Sequence, residues 1–558
     1  MVELLTSAQM RAVEAAAIAS GAVAGLELME RAGAGVVAAV MAEWPELVQG
    51  ASPGALPRTP EYFNQDEGRQ RRAVVLCGPG NNGGDGFVVA RLLVELGWAV
   101  EVYFHGEAAR LPPDARVNCE RWCGMGEVVA LTMAQIARRA GPVDLVVDAV
   151  FGTGLTRPVE GELAQVLATV WPGVARVVAV DVPTGLCADS GRVIGVPSAA
   201  VRADLTVSFH RAKVGHYLAD GPGLAGRLVV ADIGLGGRGD SCSVGLVGCD
   251  PAALRKGGGH KYAYGHALVL SGQAGHGGAG RLAARGALRI GAGVVTVACP
   301  PGAVAEHAAR LEAVMLREVA DAATLAAVLE DGRISSLCLG PGMGLDARAA
   351  GLVGVALAGG AAWRGDPRPT EGPASAGEGK EVGRGSPRRK LVLDADALTL
   401  IARDPALFAA LHENCVLTPH AGEFARLFPD IAAKLAASAS KGPACSKVDA
   451  TREAAKRAGC TVLFKGPDTV IADPDGRCAI SAAVYDRAAP WLATAGAGDV
   501  LAGFICGLLA RGFAPFEAAC TGAWLHVECA RSFGPGLIAE DLPEELPKVL
   551  RALGVQAA

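Results

Sequence analysis

Residues 77–87, CGPGNNGGDGF, place two asparagines and one aspartate among five glycines. Such a segment offers mainly backbone groups to a ligand, with the side chains of Asn81, Asn82 and Asp85 as the polar exceptions. This composition favours a site for a small ligand that approaches the backbone closely. The glycine spacing differs from the G-x-G-x-x-G fingerprint of dinucleotide-binding turns. For this segment alone, a tight strand-to-helix turn without a ligand is the alternative interpretation.

A second glycine-rich segment, ATAGAGD at residues 493–499, comes directly before a long apolar stretch typical of a buried helix. Gly496, Ala497 and Gly498 would present backbone N–H groups at the start of that helix, where the helix dipole also favours an anion. Asp499 would then lie in the first turn and take a proton from an attacking hydroxyl group. The alternative role for Asp499 is that of a helix N-cap.

Three further polar residues follow apolar, strand-like runs in the first half of the chain. Asp148 lies near the end of VDLVVDA, and Asp181 and Thr184 follow ARVVAV. In parallel sheets, ligands bind beyond the carboxyl ends of the strands. We therefore expect these three residues and the 77–87 segment to form one crevice.

Both halves of the chain alternate valine-rich strands with amphipathic helices. The runs AVVLC, AVEVYF and ADLTVSF belong to the first half, and HALVLSG, VVTVACP and KLVLD to the second. Continuous apolar runs of this kind argue for parallel sheets covered by helices on both faces. The predicted fold class is α/β, with two three-layer αβα domains, the first built on a Rossmann-like sheet.

The chain has 558 residues, of which 51% are hydrophobic, and a formal net charge of −5. Because single cores stop growing at about 250–300 residues, this length predicts at least two domains. Interspersed charges and short apolar runs favour neither a nucleic-acid partner nor a membrane partner. Fifteen scattered cysteines and an N-terminus unlike a signal peptide predict a cytoplasmic protein. A homo-oligomer is compatible with this composition.

Two segments rich in glycine, proline and charge, 48–72 and 364–390, cannot bury enough apolar surface to offset chain entropy. We predict that both are disordered insertions within domains, because strand-like runs follow them directly. The joint between the domains is placed near 235–255, where GLGGRGDSC follows a strand-like run. The predicted domains are residues 1–240 and 250–558.

Five segments of the first half occur in the order GLELMERAG, CGPGNNGGDGFVVARLL, VDAVFGTGLTRP, DVPTGLCADSG and TVSFHRAKVGH. Together they resemble the NAD(P)H-hydrate epimerase family. The resemblance implies that the hydrated cofactor is bound by Asn81, Asn82, Gly83, Gly84, Asp85, Gly152, Thr153, Gly154, Leu155, Thr156, Arg157, Pro158 and Asp181. It also implies a potassium ion held by Asn82, Asp148 and Thr184, where threonine replaces the usual serine. Asp181 is the implied catalytic acid or base.

The second half contains GGAGRLAARGALRIGAGVVTV, GPGMG, DADAL, LTPHAGEF, LFKGPDT and TAGAGDVLAG. These segments resemble the ADP/ATP-dependent NAD(P)H-hydrate dehydratase family, which has a ribokinase-like fold. The resemblance implies substrate contacts from Ala279, Gly344, His420 and Asp499, with Asp499 as catalytic base. It implies nucleotide contacts from Lys465, Gly466, Pro467, Asp468, Thr469, Gly496, Ala497 and Gly498. Ala497 replaces the threonine usual in the family, and His276 is the nearest substitute for a usual tyrosine.

The two resemblances together imply repair of hydrated nicotinamide cofactors. R and S epimers of NADHX and NADPHX would be interconverted in the first half, and the S epimer dehydrated with ADP or ATP in the second. The implied cofactors are K⁺ in the first half and Mg²⁺ with the nucleotide in the second. A small-molecule kinase is the alternative for the second half, although His420 stands where such kinases usually have asparagine. A ligand-binding module without turnover is the alternative for the first half, although Asn82, Asp148 and Asp181 are intact.

Overall fold

The computed structural model describes residues 1–47, 69–139, 141–169, 175–236, 243–360 and 388–555. The chain divides into two compact units. The N-unit comprises Glu3–Val244 and Ala437–Ser446, and the C-unit comprises Met1–Val2, Gly245–Ala436 and Lys447–Ala558. Most residues of the two predicted insertions lie outside the described part of the chain. Residues 69–72 and 388–390, at the ends of these insertions, are described, and strands begin at Arg72 and Lys390.

Within the described residues, eight strands and seven α-helices lie before Val244. In chain order they are β1 (Val2–Leu4), α1 (Ser7–Ala19), α2 (Gly25–Glu43), β2 (Arg72–Cys77), α3 (Asn81–Glu95), β3 (Ala99–Phe104), α4 (Pro113–Cys123), β4 (Val128–Ala130), α5 (Met133–Arg138), β5 (Leu145–Ala149), α6 (Gly161–Thr169), β6 (Arg176–Val180), β7 (Leu205–Phe209), α7 (Gly221–Ala225) and β8 (Arg227–Ala231).

Seven of these strands form one parallel sheet in the order β4-β3-β2-β5-β6-β7-β8. The chain runs outward from β2 to β4 and then returns to the other side of β2 at β5. The topological switch point therefore lies between β2 and β5, where open α/β sheets bind their ligands. The predicted parallel sheet of the first half is confirmed.

Alternate residues of β2 enter two different cores. Val75 and Cys77 pack in a core with side chains of α2, α3 and α4. Val74 and Leu76 pack in a second core with side chains of α5 and α6. Because helices cover both faces, every strand residue from Ala73 to Cys77 is buried, and this explains the continuous apolar run.

The remaining elements belong to the second half of the chain. In chain order they are β9 (Val244–Leu246), β10 (His266–Leu270), α8 (Gly278–Arg289), β11 (Val294–Cys299), α9 (Val304–Ala308), β12 (Met315–Glu318), α10 (Ala322–Val328), β13 (Ile334–Leu339), α11 (Ala347–Leu357), β14 (Lys390–Leu393), α12 (Ala395–Arg403), α13 (Pro405–Ala409), β15 (Cys415–Leu417), α14 (Ala421–Leu427), α15 (Pro429–Ala436), α16 (Lys447–Ala458), β16 (Thr461–Phe464), β17 (Asp468–Ala472), β18 (Cys478–Ala482), α17 (Ala497–Ala510), α18 (Pro515–Phe533) and α19 (Asp541–Ala552).

The second sheet has the strand order β1-β9-β18-β17-β16-β15-β14-β13-β10-β11-β12. Its strands from β10 to β16 pair in parallel, and β16, β17 and β18 pair antiparallel. Side chains of α8, α17, α18 and α19 form one core against this sheet. The chain switches direction between β10 and β13, which places a second switch point there. No helix among the described residues is long and apolar enough to cross a membrane.

Candidate active sites

The turn that follows β2 is shorter than the glycine-rich segment 77–87, because α3 already begins at Asn81. A Cβ on Gly83 would overlap the carbonyl oxygen of Gly78. Glycine therefore lets the helix start directly against the loop that leaves β2. The first N–H groups of a helix have no intrahelical partner, and no side chain caps this one. The segment is thus a helix N-terminus that can bind an anion.

A cleft of about 460 Å³ opens at the switch point of the N-unit. The N-terminus of α3, the loop after β5 and the residue after β6 all contribute to its lining. The predicted site residues that line it are Asn81, Asn82, Asp85, Gly152, Thr153, Gly154 and Asp181. The structure therefore brings together three segments that are far apart in the sequence, as the strand-end argument predicted.

Asp148 and Thr184 are buried next to this cleft. Thr184 Oγ1 donates to Asp148 Oδ1 at 2.6 Å, and the Thr184 N–H donates to Asp148 Oδ2 at 2.8 Å. Burial raises the pKa of Asp148 to about 6, although the hydrogen bonds from Thr184 oppose this rise. Among the described residues, no lysine or arginine compensates the charge of this carboxylate.

Asn82 lies at the same strand ends. Its Oδ1 is 2.7 Å from the position that a Cβ on Gly152 would take, and its Nδ2 is buried with no hydrogen-bond partner among the described residues. Phe151, which precedes Gly152 in the chain, donates its N–H to Thr184 Oγ1 at 2.9 Å. The predicted metal ligands therefore offer hard oxygen donors and one buried carboxylate without a counter-charge. This donor set fits a monovalent metal cation.

Four carboxyl groups, those of Glu14, Asp85, Asp114 and Asp181, line the cleft. Burial raises the pKa of Asp85 well above its ordinary value, and the charges of Asp181 and Glu14 raise it further. Burial, followed by the charge of Asp181, also raises the pKa of Glu14. Burial acts on Asp181 in the same direction, but the ammonium group of Lys213 brings the pKa of Asp181 below its ordinary value. Lys213 therefore favours the ionised form of Asp181.

Some predicted cofactor-binding residues do not line the cleft. Leu155 packs with Cys187 and Ile194 instead, and the side chains of Thr156 and Arg157 are exposed. Gly83 and Gly84 are buried within α3, and Pro158 is half-buried. A larger cleft of about 620 Å³, bordered by Leu47 and Ala175, contains none of the predicted site residues.

In the C-unit, the loops that follow β10 and β13 approach each other at the switch point. A Cβ on Gly342 would lie 3.4 Å from the Cβ of Ala279. Gly344, two residues further along the second loop, donates its N–H to Asp396 Oδ2 at 2.8 Å. Ala279 and Gly344 are both half-buried. The structure thus places Ala279, in the first turn of α8, opposite the loop that carries Gly344.

Asp499 lies in the first turn of α17, as predicted. The N-cap position belongs to Gly496, which has a left-handed φ of +88°, and no side chain caps the helix. Asp499 is therefore not the N-cap. Burial raises the pKa of Asp499 to about 6, and the charge of Asp394 adds to the rise. A carboxyl group that titrates near neutrality beside open helix N–H groups is suited to proton transfer.

Lys465 links the ends of neighbouring parallel strands. Its Nζ donates to Asp394 Oδ1 at 2.8 Å and lies 3.9 Å from Glu423 Oε2. Asp394, directly after β14, also accepts a 2.8 Å hydrogen bond from Thr418 Oγ1, directly after β15. A Cβ on Gly498 would lie 3.5 Å from Lys465 Nζ. A half-buried cation therefore lies beside the start of α17, where an anion would bind.

His420 is the N-cap of α14. Its Nδ1 accepts hydrogen bonds from the N–H groups of Gly422 at 2.9 Å and Glu423 at 3.3 Å, and Glu423 Oε2 accepts from the His420 N–H. This reciprocal arrangement is a capping box. The imidazole is 56% exposed, so His420 is not packed in the core. In the neutral ring the proton sits on Nε2, since Nδ1 is an acceptor.

The predicted nucleotide segment, Lys465–Thr469, contains the turn between β16 and β17. Thr469 Oγ1 donates to the carbonyl of Gly466 at 2.7 Å. The Asp468 carboxylate accepts from Lys447 Nζ at 2.6 Å. The side chains of Thr469 and Asp468 therefore stabilise the turn itself. Of the five residues of this segment, Lys465 lies beside the start of α17.

Sequence reasoning missed several polar residues that line the sites or contact the predicted residues. They are Arg11, Glu14, Ser208, Lys213 and His216 in the N-unit, and Asp394, Asp396, Thr418, Lys447 and His526 in the C-unit. The motifs TVSFHRAKVGH and DADAL contain half of them, so a signal was present. Helix α1 carries no motif that marks Arg11 or Glu14. The described residues contain no group of three or more His, Cys, Asp or Glu side chains placed to hold a metal ion.

Comparison with known proteins relates both units to one kind of enzyme. The sequence model of a family described as YjeF-related protein N-terminus matches residues 25–215. A second family model, described as NAD(P)H-hydrate dehydratase, matches residues 267–360 and 382–550. An NAD(P)H-hydrate epimerase of Rhodobacter capsulatus is 47% identical over 42% of this chain and its own full length.

Similarity also extends over the whole chain. A bifunctional NAD(P)H-hydrate repair enzyme Nnr of Moorella thermoacetica is 33% identical over 99% of this chain and 97% of its own length. Among solved structures, an ADP/ATP-dependent NAD(P)H-hydrate dehydratase of Bacillus subtilis, co-crystallised with ATP and Mg²⁺, is 23% identical. It covers 55% of this chain and 94% of its own, with a TM-score of 0.38. On the full-length match, the chain belongs to the family of bifunctional NAD(P)H-hydrate repair enzymes.

Proposed function

We propose that this chain repairs NADHX and NADPHX through two activities on one polypeptide. The N-unit acts as an isomerase that interconverts the R and S epimers, and the C-unit acts as a lyase that dehydrates the S epimer with ADP or ATP. We assign the first activity to residues 1–240 and the second to residues 250–558. The observation that carries the proposal is a carboxyl group beside a helix N-terminus at each candidate site: Asp181 lines the cleft at the start of α3, and Asp499 lies in the first turn of α17.

In the N-unit, epimerisation breaks and re-forms one bond at the ring carbon that carries the hydroxyl group. This chemistry needs one group that takes a proton and one that returns it. Lys213 lowers the pKa of Asp181 and burial raises that of Asp85 in the same cleft, so Asp181 would serve as the base and Asp85 as the acid. The N–H groups at Asn81 and Asn82 would bind a phosphate of the cofactor at the start of α3.

A potassium ion would be held in the N-unit by Asn82, Asp148 and Thr184. The support is the buried Asp148 carboxylate, which has no cationic side chain beside it among the described residues. The ion would supply positive charge close to the start of α3, where the cofactor phosphates carry negative charge. Thr184 keeps the hydroxyl oxygen that such a ligand needs.

In the C-unit, dehydration is slow without help because hydroxide is a poor leaving group. Phosphorylation of the hydroxyl group makes phosphate the leaving group instead. Asp499 takes the hydroxyl proton, the open N–H groups at Gly498 and its neighbours hold the transferred phosphate, and Lys465 supplies positive charge. His420, Ala279 and Gly344 would contact the hydrated ring.

Magnesium would accompany the nucleotide and neutralise phosphate charge. Asp394, Asp396 and Glu423 offer hard carboxylate oxygens near Lys465 and Gly344. One or two of them are enough, because Mg²⁺ usually keeps water and phosphate oxygens as its other ligands. This fits the described residues, which contain no preformed cluster of three or more metal-binding side chains.

We further propose a cytoplasmic location, which the free thiols of the fourteen described cysteines support. Fractionation of the source cells with an antibody against this chain tests the location. Light scattering of the purified protein tests whether it forms a homo-oligomer.

The test of the proposed function is an assay with purified protein and a mixture of R and S hydrates of NADH. With ATP and magnesium present, absorbance at the reduced-nicotinamide band should return for both epimers, faster for R than its spontaneous epimerisation allows. Without nucleotide, the ratio of the epimers should change and no NADH should form. Failure of the S epimer to yield NADH with either ADP or ATP would overturn the proposal for the C-unit.

A further inference from the structure

Lys213, in the TVSFHRAKVGH motif, has no role in the function described so far. Its side chain is completely buried, and its ammonium group has four acceptors within reach. They are Asp181 Oδ1 at 2.7 Å, Ser208 Oγ at 2.8 Å, the Arg211 carbonyl at 3.1 Å and the Phe209 carbonyl at 3.3 Å. Burying an ammonium group is costly unless an opposite charge compensates it. Asp181 is the one carboxylate in this set, so the two residues form a buried ion pair.

The two oxygens of Asp181 have different surroundings. Oδ1 accepts hydrogen bonds from Lys213 Nζ and Ser208 Oγ. Oδ2 lies 3.4 Å from the position that a Cβ on Gly152 would take, and Gly152 lines the cleft. One oxygen is therefore anchored in the protein while the other is turned toward the cleft. The residue is held in this orientation with a left-handed φ of +63°, which non-glycine residues seldom adopt.

His216 holds the backbone of the same residue. Its Nδ1 accepts the Lys213 N–H at 3.0 Å, so the proton of the neutral ring lies on Nε2, which is 3.0 Å from the Asp181 carbonyl oxygen and donates to it. Burial lowers the pKa of His216 to about 4, which keeps the ring neutral at physiological pH. The segment from Lys213 to His216 therefore fixes both the side chain and the main chain of Asp181.

Charged groups from several elements surround the Asp181 carboxylate. Helix α1 contributes Glu14 and Arg11, helix α3 contributes Asp85 and helix α4 contributes Asp114 to the lining of the cleft. Of the four carboxyl groups that line the cleft, Lys213, buried behind it, hydrogen-bonds to that of Asp181. A single buried cation thus distinguishes among four acidic groups that share one cleft.

We propose that Lys213 is the positioning residue of the epimerase site: it holds the Asp181 carboxylate by Oδ1 and thereby keeps Oδ2 turned toward the substrate. His216 supports this role through the backbone. Lys213 itself need not touch the substrate, because no part of its side chain is exposed. The inference rests on the proposed epimerase activity of the N-unit.

The test uses Lys213→Met in the full chain, because methionine fills a similar volume without the charge. Epimerisation at pH 7 should fall about 10²-fold or more. The acid limb of the kcat/KM profile should move up by about 1–3 pH units, since the cation no longer favours ionised Asp181. Activity should therefore recover in part at higher pH. Lys213→Arg keeps the charge and should restore the position of the acid limb.

Two controls separate this role from simple damage to the fold. Arg110→Met removes a cation from an exposed ion pair of the N-unit and should leave epimerisation unchanged. The dehydratase activity of each preparation on the S epimer should match that of the wild type. If Lys213→Met does not fold, Ser208→Ala, which removes one bond to each of Lys213 and Asp181, should still lower the rate several-fold and move the limb in the same direction.

Two results would overturn the inference. One is a Lys213→Met protein that epimerises like the wild type, and the other is a loss of rate that is equal at every pH. Both require a wild type that epimerises the hydrate. If the wild type itself does not epimerise it, the proposed function of the N-unit fails instead, so the two failures are distinguishable.

Discussion

At the scale of single residues, environment decides which carboxyl groups carry charge. Asp499 and Asp181 are both acidic residues beside the carboxyl ends of parallel strands. Burial and Asp394 raise the pKa of Asp499 to about 6, whereas Lys213 overcomes burial and lowers the pKa of Asp181. The same side chain is therefore poised to titrate near neutrality in one unit and stays ionised in the other.

Asp499→Asn should lower turnover of the S epimer with ATP by about 10²–10⁴-fold, because the general base is lost. Nucleotide affinity, measured by calorimetry, should hardly change, since backbone N–H groups form the anion site. In the wild type, kcat/KM should rise with pH through about 6 and then level off, because the base acts in its deprotonated form. Near wild-type turnover by Asp499→Asn would contradict the assignment.

Thr184→Val should weaken epimerisation and remove most of its dependence on potassium. Valine has the shape of threonine but lacks the hydroxyl oxygen that bonds Asp148. Thr184→Ser keeps that oxygen and is the matched control, expected to respond to potassium as the wild type does. The measurement is the epimerisation rate in potassium chloride against choline chloride. An equal potassium response in the valine and serine variants would refute the ligand role.

At the scale of elements, both candidate sites lie where a helix starts close to strand ends. In α3 the close approach requires glycine at Gly83, because a Cβ there would overlap the Gly78 carbonyl. Gly80, at the N-cap of the same helix, has open space around the position of a Cβ. The two glycines are therefore a matched pair for testing how the helix is placed.

Gly83→Ala should destabilise the N-unit by about 1–3 kcal/mol, the range for overpacking a filled site. Gly80→Ala should cost no more than about 1 kcal/mol, because alanine is a poorer N-cap than glycine but its Cβ meets no neighbouring atom. Urea unfolding of the full chain, followed by circular dichroism, measures both. Equal stability of the two variants would show that α3 does not depend on this close approach.

The segment 437–446 belongs to the N-unit, although its neighbours in sequence belong to the C-unit. Ala444 packs with Cys187 and Ile194, and the Gly195 N–H donates to the carbonyl of Ala439 at 2.8 Å. A fragment of residues 1–245 lacks this cover.

We expect the 1–245 fragment to retain epimerase activity but to be less stable than the N-unit of the full chain. Uncovering the buried side chain of Ile194 would cost about 1.5–3 kcal/mol. Thermal unfolding of the fragment, with and without an added peptide of residues 437–446, measures the effect. A fragment as stable as the full-chain unit would show that the segment contributes nothing.

At the scale of the whole molecule, the strands themselves were predictable because buried parallel strands require continuous apolar runs such as AVVLC. The order of strands was not predictable, because it depends on contacts between segments far apart in sequence. The switch points next to Asn81 and Ala279 therefore appear only in the structure. For the same reason the sequence did not show that Lys213 contacts Asp181, which lies 32 residues earlier in the chain.

Local chemistry explains the other differences. Glycine usually interrupts helices, so the start of α3 at Asn81 contradicts propensity and is explained by the tertiary approach at Gly83. The segment CTVLFKGPDTVIA divides into two antiparallel strands at Gly466 and Pro467. Residues that act through buried contacts, such as Ser208, were missed because the sequence does not show which side chains they contact.

The central claim is that one chain carries two independent sites, one that depends on Asp181 and one that depends on Asp499. The most direct test follows NADH formation from mixed R and S hydrates with ATP for three proteins: the wild type, Asp181→Asn and Asp499→Asn. The wild type should convert both epimers. With Asp181→Asn, NADH formation should stop once the S epimer is consumed, apart from slow spontaneous epimerisation of the R epimer. Asp499→Asn should form almost no NADH while still equilibrating the epimers.

Mixing the two single variants should restore complete conversion, because the S epimer made by Asp499→Asn can diffuse to the intact C-unit of Asp181→Asn. The rate of this rescue should be set by the slower of the two remaining activities. A mixture that still stops at the S fraction, or an Asp181→Asn protein that consumes both epimers at the wild-type rate, would contradict the central claim.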